Sequence, residues 1–308
     1  MIQTRGLTKR FGGTLAVDDL SVTVRPGTIT GFLGPNGSGK STTMRMIMGL
    51  DRPTSGSVTV NGRPYRKLRH PLREIGALLD AEAAHPGRSA RDHLLCLAQS
   101  NGIGHARVAE VIELVGLSAV AGKRVGKFSL GMKQRLGIGA ALLGDPGILV
   151  LDEPMNGLDP EGILWIRTLM RSFAAQGRAV FVSSHLMNEM QGTADHVVVI
   201  GQGRLIADEA MTAFVAGNSL GAVHVRAPHA TILRPVLESA GGRVAAEPDG
   251  SLTVIGLSSS RVGDLALTAG VAVHELWTRN DSLEAVFMKL TRDSVEFRAG
   301  APMSMAGA

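Results

Sequence analysis

The sequence predicts an α/β protein, a mostly parallel sheet interrupted by a helical insert and followed by a small α+β domain. Three observations predict it. Short apolar strands alternate with helical text over most of the first two thirds of the chain. From about Ser89 to Leu143 the text is helical and strands are missing. After Gly217–Gly221 the order becomes strand, helix, strand, strand, helix, strand, helix, which reads as a split βαβ unit of ferredoxin-like type.

Each element has its own signal. "LAVDDLSVTVRPG" alternates apolar and polar residues and turns at Pro26-Gly27. "TITGFLG" is a short buried strand that runs into a glycine-rich loop and then the helical pattern "KSTTMRMIMGL". "GSVTVNG" and "REIGALLD" are further strands. "SARDHLLCLAQSNG" opens on a serine cap, and "RVAEVIELVGL" spaces its apolar residues three and four apart. Strands return as "ILVLDEP", "RAVFVSSH" and "HVVVIGQGRLI". In the last third, "AVHVRA", "RVAAEPDGSLTVIG" and "VAVHELWT" are strands, the second turning at Pro248-Asp249-Gly250. "ATILRPVLESAG", "SRVGDLALTAG" and "DSLEAVFMKLT" are helices between and after them. The closing residues, 294–308, have no periodicity and are expected to be a mobile tail. The expected division is 1–216, with a helical subdomain at about 86–143, then 221–293.

Composition narrows the function. At 308 residues the chain suits two domains, with 44% hydrophobic and 19% charged residues. The single cysteine, Cys96, excludes an internal disulfide and fits a reducing compartment. No run of about 18 apolar residues suggests a membrane span. "MIQTRGLTKRFGG" lacks the apolar core of a signal peptide, so the chain is expected to stay in the cytoplasm. Net charge is +5 and the pI about 9.8, which suits a nucleotide, a nucleic acid or an anionic membrane surface. A solvated, arginine-rich surface accounts for the charge better. Aromatic residues make up only 4%, too few for a basic stripe that stacks bases, so no nucleic-acid partner is expected.

"GPNGSGKST" fits the phosphate-loop pattern and stands between a strand and a helix, the context that pattern requires. The nucleotide-binding candidates are Gly34, Pro35, Asn36, Gly37, Ser38, Gly39, Lys40, Ser41 and Thr42. Glycines let backbone N–H groups point into one concavity, and the helix start adds its positive end. Lys40 would neutralise the β- and γ-phosphates, and Ser41 would offer its hydroxyl to Mg²⁺. The loop alone does not choose between kinase, GTPase and motor. The missing N-K-x-D motif counts against a guanine-specific site.

Other chemistry-bearing stretches follow. "ILVLDEP" places Asp152 and Glu153 at the carboxyl end of a strand, beside the phosphate loop of an open α/β sheet. Asp152 would help hold Mg²⁺, which frees Glu153 to deprotonate an attacking water. "FVSSH" ends another strand on His185, which could hydrogen-bond a γ-phosphate and sense its loss. "KFSLGMKQRL" looks like an exposed helix start at Ser129, with Phe128, Leu130 and Leu136 as its packing side and Lys133 and Arg135 solvated.

The order of these motifs resembles the nucleotide-binding subunit of ABC transporters over residues 1 to about 215, nearest the bacterial drug or antibiotic exporter branch of daunorubicin- or bacitracin-resistance type. "SLEAVFMKLT" also looks like that branch. The resemblance implies a P-loop NTPase with a RecA-like core, an N-terminal antiparallel β subdomain and an inserted helical subdomain. It implies ATP and Mg²⁺ as cofactors, and Glu153 and His185 as catalytic residues. Ser129, Leu130, Gly131 and Met132 occupy the family signature, usually S-G-G-Q, which touches ATP held by a second copy. Leu130 and Met132 depart from it. Asp159 matches the D-loop aspartate, and Phe11 stands where an aromatic ring stacks on adenine. Asp80 takes the place of the Q-loop glutamine, shorter and charged, with Glu82 as a second candidate for metal or water contact. The segment "AEAAHPGRSARDHL" would face a membrane partner.

The implied function is an ATP-hydrolysing homodimer at the cytoplasmic face of the membrane, powering export of a drug, antibiotic or lipid-like substrate through a separate permease subunit. The C-terminal domain would serve dimerisation or regulation. One rival is a non-transport ABC ATPase, but the chain has one phosphate loop and no sustained heptads. The other is a ligand-sensing module regulated by ATP, which the full hydrolytic set argues against.

Overall fold

The computed structural model describes residues 1–218 and 222–279, together with Glu284 and Met288. They fall into two compact units, the first Met1–Met211 and the second beginning at Thr212.

The first unit holds two sheets. In the smaller, β1 (Ile2–Phe11) pairs antiparallel with β2 (Thr14–Leu20), β3 (Thr23–Val24) and β5 (Ser55–Val60). The sequence pattern does not mark β1 as a strand. Its pairing with β5 shifts register between Arg5 and Thr8, so Ile2, Thr4 and Leu7 share burial without strict alternation. The larger sheet has the order β10-β9-β4-β8-β7-β6. Its members are β4 (Ile29–Leu33), β6 (Ile75–Leu78), β7 (Ile148–Leu151), β8 (Ala179–Ser184), β9 (His196–Gly201) and β10 (Arg204–Ala210). All pairs are parallel except β9 with β10. "HVVVIGQGRLI", read above as one strand, is therefore a hairpin about Gln202 and Gly203.

Every residue of β4, β7 and β8 is buried, as expected of parallel strands covered on both faces. Phe32 and Phe181 meet across β4 and β8 with ring centres 5.0 Å apart. The helices of this unit are α1 (Lys40–Ile47), the single turn α2 (Pro71–Glu74), α3 (Ala90–Ser100), α4 (His105–Leu114), α5 (Leu130–Leu142), α6 (Pro160–Ala175) and the single turn α7 (Met187–Met190). Ser89 caps α3 as predicted, its hydroxyl accepting the Asp92 N–H.

α8 (Met211–Asn218) leads into the second unit. There β11 (Ala222–Arg226), α9 (Ala230–Ser239), β12 (Arg243–Ala246), β13 (Leu252–Ile255), α10 (Ser259–Thr268) and β14 (Glu275–Arg279) form an antiparallel sheet of order β12-β13-β11-β14. That is ferredoxin-like topology. β12 and β13 flank the predicted Pro248–Gly250 turn. Val223, Val225, Leu233, Leu237, Val254 and Val262 build its core. The helix expected at "DSLEAVFMKLT" and the tail expected over 294–308 lie outside the described residues, apart from Glu284 and Met288. No described helix is long and apolar enough to cross a membrane.

Candidate nucleotide site

The glycine-rich loop runs from the end of β4 to the start of α1. Gly39 adopts φ 102°, and a Cβ there would lie 2.4 Å from the Ala16 carbonyl oxygen. Only glycine fits both the backbone and the space. Two other segments clamp the loop. The Gly203 N–H donates to Ser38 O at 3.0 Å, and the Asp18 N–H donates to Gly203 O at 2.9 Å. The first intrahelical bond of α1 runs from Thr43 N to Gly39 O. The N–H groups of Lys40, Ser41 and Thr42 therefore have no intrahelical acceptor, which is the usual state of a helix first turn and a ready anion site.

Lys40 is 6% exposed. Its ammonium donates to Gly34 O at 2.6 Å and to Pro35 O at 3.3 Å, and lies 3.6 Å from Glu153 Oε1. Burial holds its pKa below the ordinary lysine value, and the nearby Glu153 and Asp152 carboxylates partly offset that. A buried cation on two carbonyls, at the mouth of an N–H-lined loop, suits a ligand carrying several negative charges.

The acids arrive from β7, but not from the strand next to β4. β8 stands between them, pairing with both. The acid pair still reaches the phosphate loop, as expected, with Glu153 Oε1 3.6 Å from Lys40 Nζ, and the intervening strand brings β8 residues into the site. The Ser183 hydroxyl accepts the Glu153 N–H at 2.8 Å and donates to Asp152 Oδ1. Glu153 has φ 47°, an uncommon backbone state for a residue other than glycine. That strained turn is held by Ser183 on one side. On the other, the nearly buried Gln134 of α5 donates to Glu153 O at 3.0 Å. His185 Nδ1 lies 2.9 Å from Glu153 Oε2. Lys40, Glu153 and His185 are thus brought into one cluster.

Sequence reading missed Ser183 and Gln134. Ser183 was legible only as part of "FVSSH". The signal for Gln134 was a polar side chain on the face of α5 that also carries buried Ile138, four residues on.

The signature stretch forms the start of α5. Ser129 is its N-cap, and its hydroxyl accepts the Met132 N–H at 3.2 Å. A Cβ on Gly131 would lie 2.8 Å from the Gly157 carbonyl oxygen, so this turn packs against the segment after β7. Among the described residues no hydrogen bond or ion pair joins Ser129–Met132 to the chain's own phosphate loop. Phe128 and Leu136 are buried as expected. Leu130 packs only in part: it is 48% exposed, with its side chain against Gly157. Lys133 and Arg135 are not free solvated charges either. Lys133 Nζ pairs with Glu82 Oε1 at 2.6 Å. Arg135 donates to Val115 O at 3.2 Å and lies 4.5 Å from the centre of the Trp165 ring.

Asp159 caps α6, its carboxylate accepting the Gly162 N–H at 2.9 Å. Phe11 ends β1, exposed, with Lys9 Nζ 4.7 Å from its ring centre. Asp80 turns its carboxylate onto the Glu82 N–H at 2.7 Å, and so onto its own loop. Asp80, Ala84, His93, Leu97 and Leu50 line a groove of about 570 Å³ between the core and the helical insert.

A P-loop strand, an acid pair at the end of the strand two places away and a histidine just past the strand between define an ATPase cassette of the P-loop class. A family model described as "ABC transporter" matches residues 17–156, an AAA domain model matches 124–190, and a "Domain of unknown function" model matches 221–284. The chain is 46% identical over 212 residues to the bacitracin transport ATP-binding protein BcrA of Bacillus licheniformis, covering 68% of this chain and 69% of that one. It is 33% identical over 297 residues to the uncharacterized ABC transporter ATP-binding protein YcbN of Bacillus subtilis, covering 94% and 96%. The dimeric structure of MJ0796, a bacterial ABC transporter cassette, matches in fold with TM-score 0.63 at 24% identity, covering 68% of this chain and 99% of that one. This chain belongs to the ATP-binding subunits of ABC transporters and is an ABC-type ATPase.

Proposed function

We propose that two copies of this chain bind ATP between them and drive export of a drug, antibiotic or lipid-like molecule through a separate permease at the cytoplasmic face of the membrane. A relative 36% identical over 246 residues, the Nod factor export ATP-binding protein I of Burkholderia lata, supports the direction, and the bacitracin transport relative supports the cargo class. Each ATP would lie between the Gly34–Thr42 loop of one copy and the Ser129–Met132 turn of the other, with Phe11 against the adenine. The N–H groups of the loop and Lys40 bind and orient the phosphates. Ser129 and the first turn of α5 add donors from the second copy, so the γ-phosphate bridges the dimer and its loss reopens it. Asp159 signals between copies from its cap position.

Ser41 and Asp152 form a donor set that fits Mg²⁺. Ser41 is exposed, and Asp152 commits Oδ1 to Ser183 while its other oxygen has no partner among the described residues. One hydroxyl and one carboxylate are what magnesium takes from a protein when phosphate and water supply the rest. Bound there, the ion would neutralise phosphate charge during transfer. Asp80 stays a weaker candidate ligand, since its carboxylate is committed to its own turn.

The observation that carries the reading is the Lys40–Glu153–His185 cluster at the mouth of the loop. Glu153 takes the proton of the attacking water, and His185 holds the carboxylate and senses the γ-phosphate. The groove lined by Asp80 and His93 receives the permease. The second unit serves dimerisation or regulation. The test is Glu153→Gln: ATP binding stays, turnover falls at least about 100-fold, and ATP-bound dimers accumulate on size-exclusion. Hydrolysis at the parent rate would remove Glu153 as the base. Turnover of the purified pair with its permease, measured with candidate cargoes, tests export.

A further inference from the structure

Residues 63–73 read "RPYRKLRHPLR". Arg63, Arg66, Lys67, Arg69 and Arg73 carry positive charge, His70 stands among them, and no carboxylate interrupts the run. All six side chains are exposed. The acids that flank the run in sequence are engaged elsewhere. Asp51 pairs with Arg45 at 2.7 Å, and Glu74 accepts from Asn61 Nδ2 at 3.1 Å. Arg66 donates to Gly49 O. Arg63, Lys67, Arg69 and Arg73 make no ion pair or side-chain hydrogen bond among the described residues.

This is a built surface rather than a loose tail. Leu68 is buried in the core beneath α1 and β5, and Tyr65 packs against the same cluster. Pro64 precedes a short 3₁₀ turn at Tyr65–Lys67, and Pro71 opens α2. Tyr65 also lines the groove that contains Leu50, Asp80 and His93, while Arg69, His70 and Arg73 line a separate hollow against Ser100 and Ile103.

We propose that the Arg63–Arg73 segment is a contact for anionic phospholipid headgroups on a membrane surface. A protein partner would need an apolar centre to the patch. Here Leu68 turns into the core and Tyr65 packs partly against it, so apart from Pro64 the exposed side chains of the run are all basic. Clustered unpaired cations need no such centre to hold a bilayer rich in negative headgroups, and each contributes roughly fivefold in affinity near the surface. The proposal does not depend on the functional reading above, because neither permease nor ATP takes part in it.

The experiment is co-sedimentation of the full chain with vesicles of phosphatidylglycerol and phosphatidylcholine, against vesicles of phosphatidylcholine alone. The parent is expected to bind only the anionic vesicles and to be released at about 1 M salt, where charge screening acts within about 3 Å. Neutralising the four unpaired cations as R63Q/K67Q/R69Q/R73Q is expected to weaken binding roughly 600-fold. The exposed control R5Q/R25Q/R243Q/R261Q removes the same charge elsewhere and should weaken it far less. Equal loss in both variants, binding that survives high salt, or no binding by the parent overturns the proposal. So does a segment variant that binds vesicles normally but loses permease-stimulated turnover in detergent, which would assign the patch to an acidic protein surface.

Discussion

His185 Nδ1 sits 2.9 Å from Glu153 Oε2, although 32 residues separate the two along the chain. The contact exists because β8 pairs directly with β7 and ends beside it. It leaves the carboxylate held from one side by an imidazole and from the other by Lys40.

This contact predicts the effect of removing the ring. His185→Ala should lower turnover at least about 100-fold while ATP affinity stays nearly unchanged. Phosphate release and nucleotide titration measure the two separately. Turnover near the parent rate would make the His185–Glu153 contact a packing feature.

Lys40 predicts the opposite split. It is a buried cation whose donors rest on the loop's own carbonyls, ready to pass to a ligand's oxygens. A charge-assisted hydrogen bond is worth about 1.5–3 kcal/mol, so Lys40→Ala should weaken ATP binding about 10- to 100-fold. Titration with a fluorescent ATP analogue reads this in the isolated chain.

Ser129 carries two roles that separate by substitution. Ser129→Ala loses the cap on α5, costs about 1 kcal/mol and lowers the melting midpoint by about 2–4 °C. Ser129→Arg adds bulk at the proposed dimer face. In a Glu153→Gln background it should abolish the ATP-dependent dimer while the monomer still binds ATP. Loss of ATP binding by that monomer would mean the turn serves its own chain's loop.

Asp145 gives a pH dependence. The Arg178 guanidinium hydrogen-bonds its carboxylate at 2.6 Å and holds the pKa below the ordinary aspartate value, with Arg107 adding a smaller pull. A depressed folded-state pKa stabilises above the unfolded value of about 3.9, and the stabilisation is lost as pH falls through the folded one. Asp145 is 62% exposed, so the gain stays below about 1 kcal/mol. The stability gap between parent and Asp145→Asn should be constant above about pH 5 and shrink below about pH 4. Denaturant melts across that range check it. A gap that widens toward acid would contradict the pairing.

Much of the site was legible because its parts are local. The phosphate loop needs its glycines and lysine in one short run, and the strand signals around it are periodic. β1 was less legible, since a register shift between Arg5 and Thr8 breaks its alternation. Ser183 and Gln134 were not legible, since a serine in a buried strand and a glutamine on a helix say nothing of Glu153 until the chain folds. Lys133 and Arg135 looked like solvated charges for the same reason: Glu82 and Trp165 lie far along the chain.

By itself, then, the sequence determined the chemistry carried by each segment. It placed Lys40 at a helix start, Asp152 and Glu153 at a strand end, and a serine cap at the head of α5. These follow from backbone geometry over a few residues. Only the tertiary structure decided that β8 lies between β4 and β7, which brings His185 and Ser183 to Glu153. Strand order is set by which buried faces pack together across the whole sheet, and no local pattern encodes it.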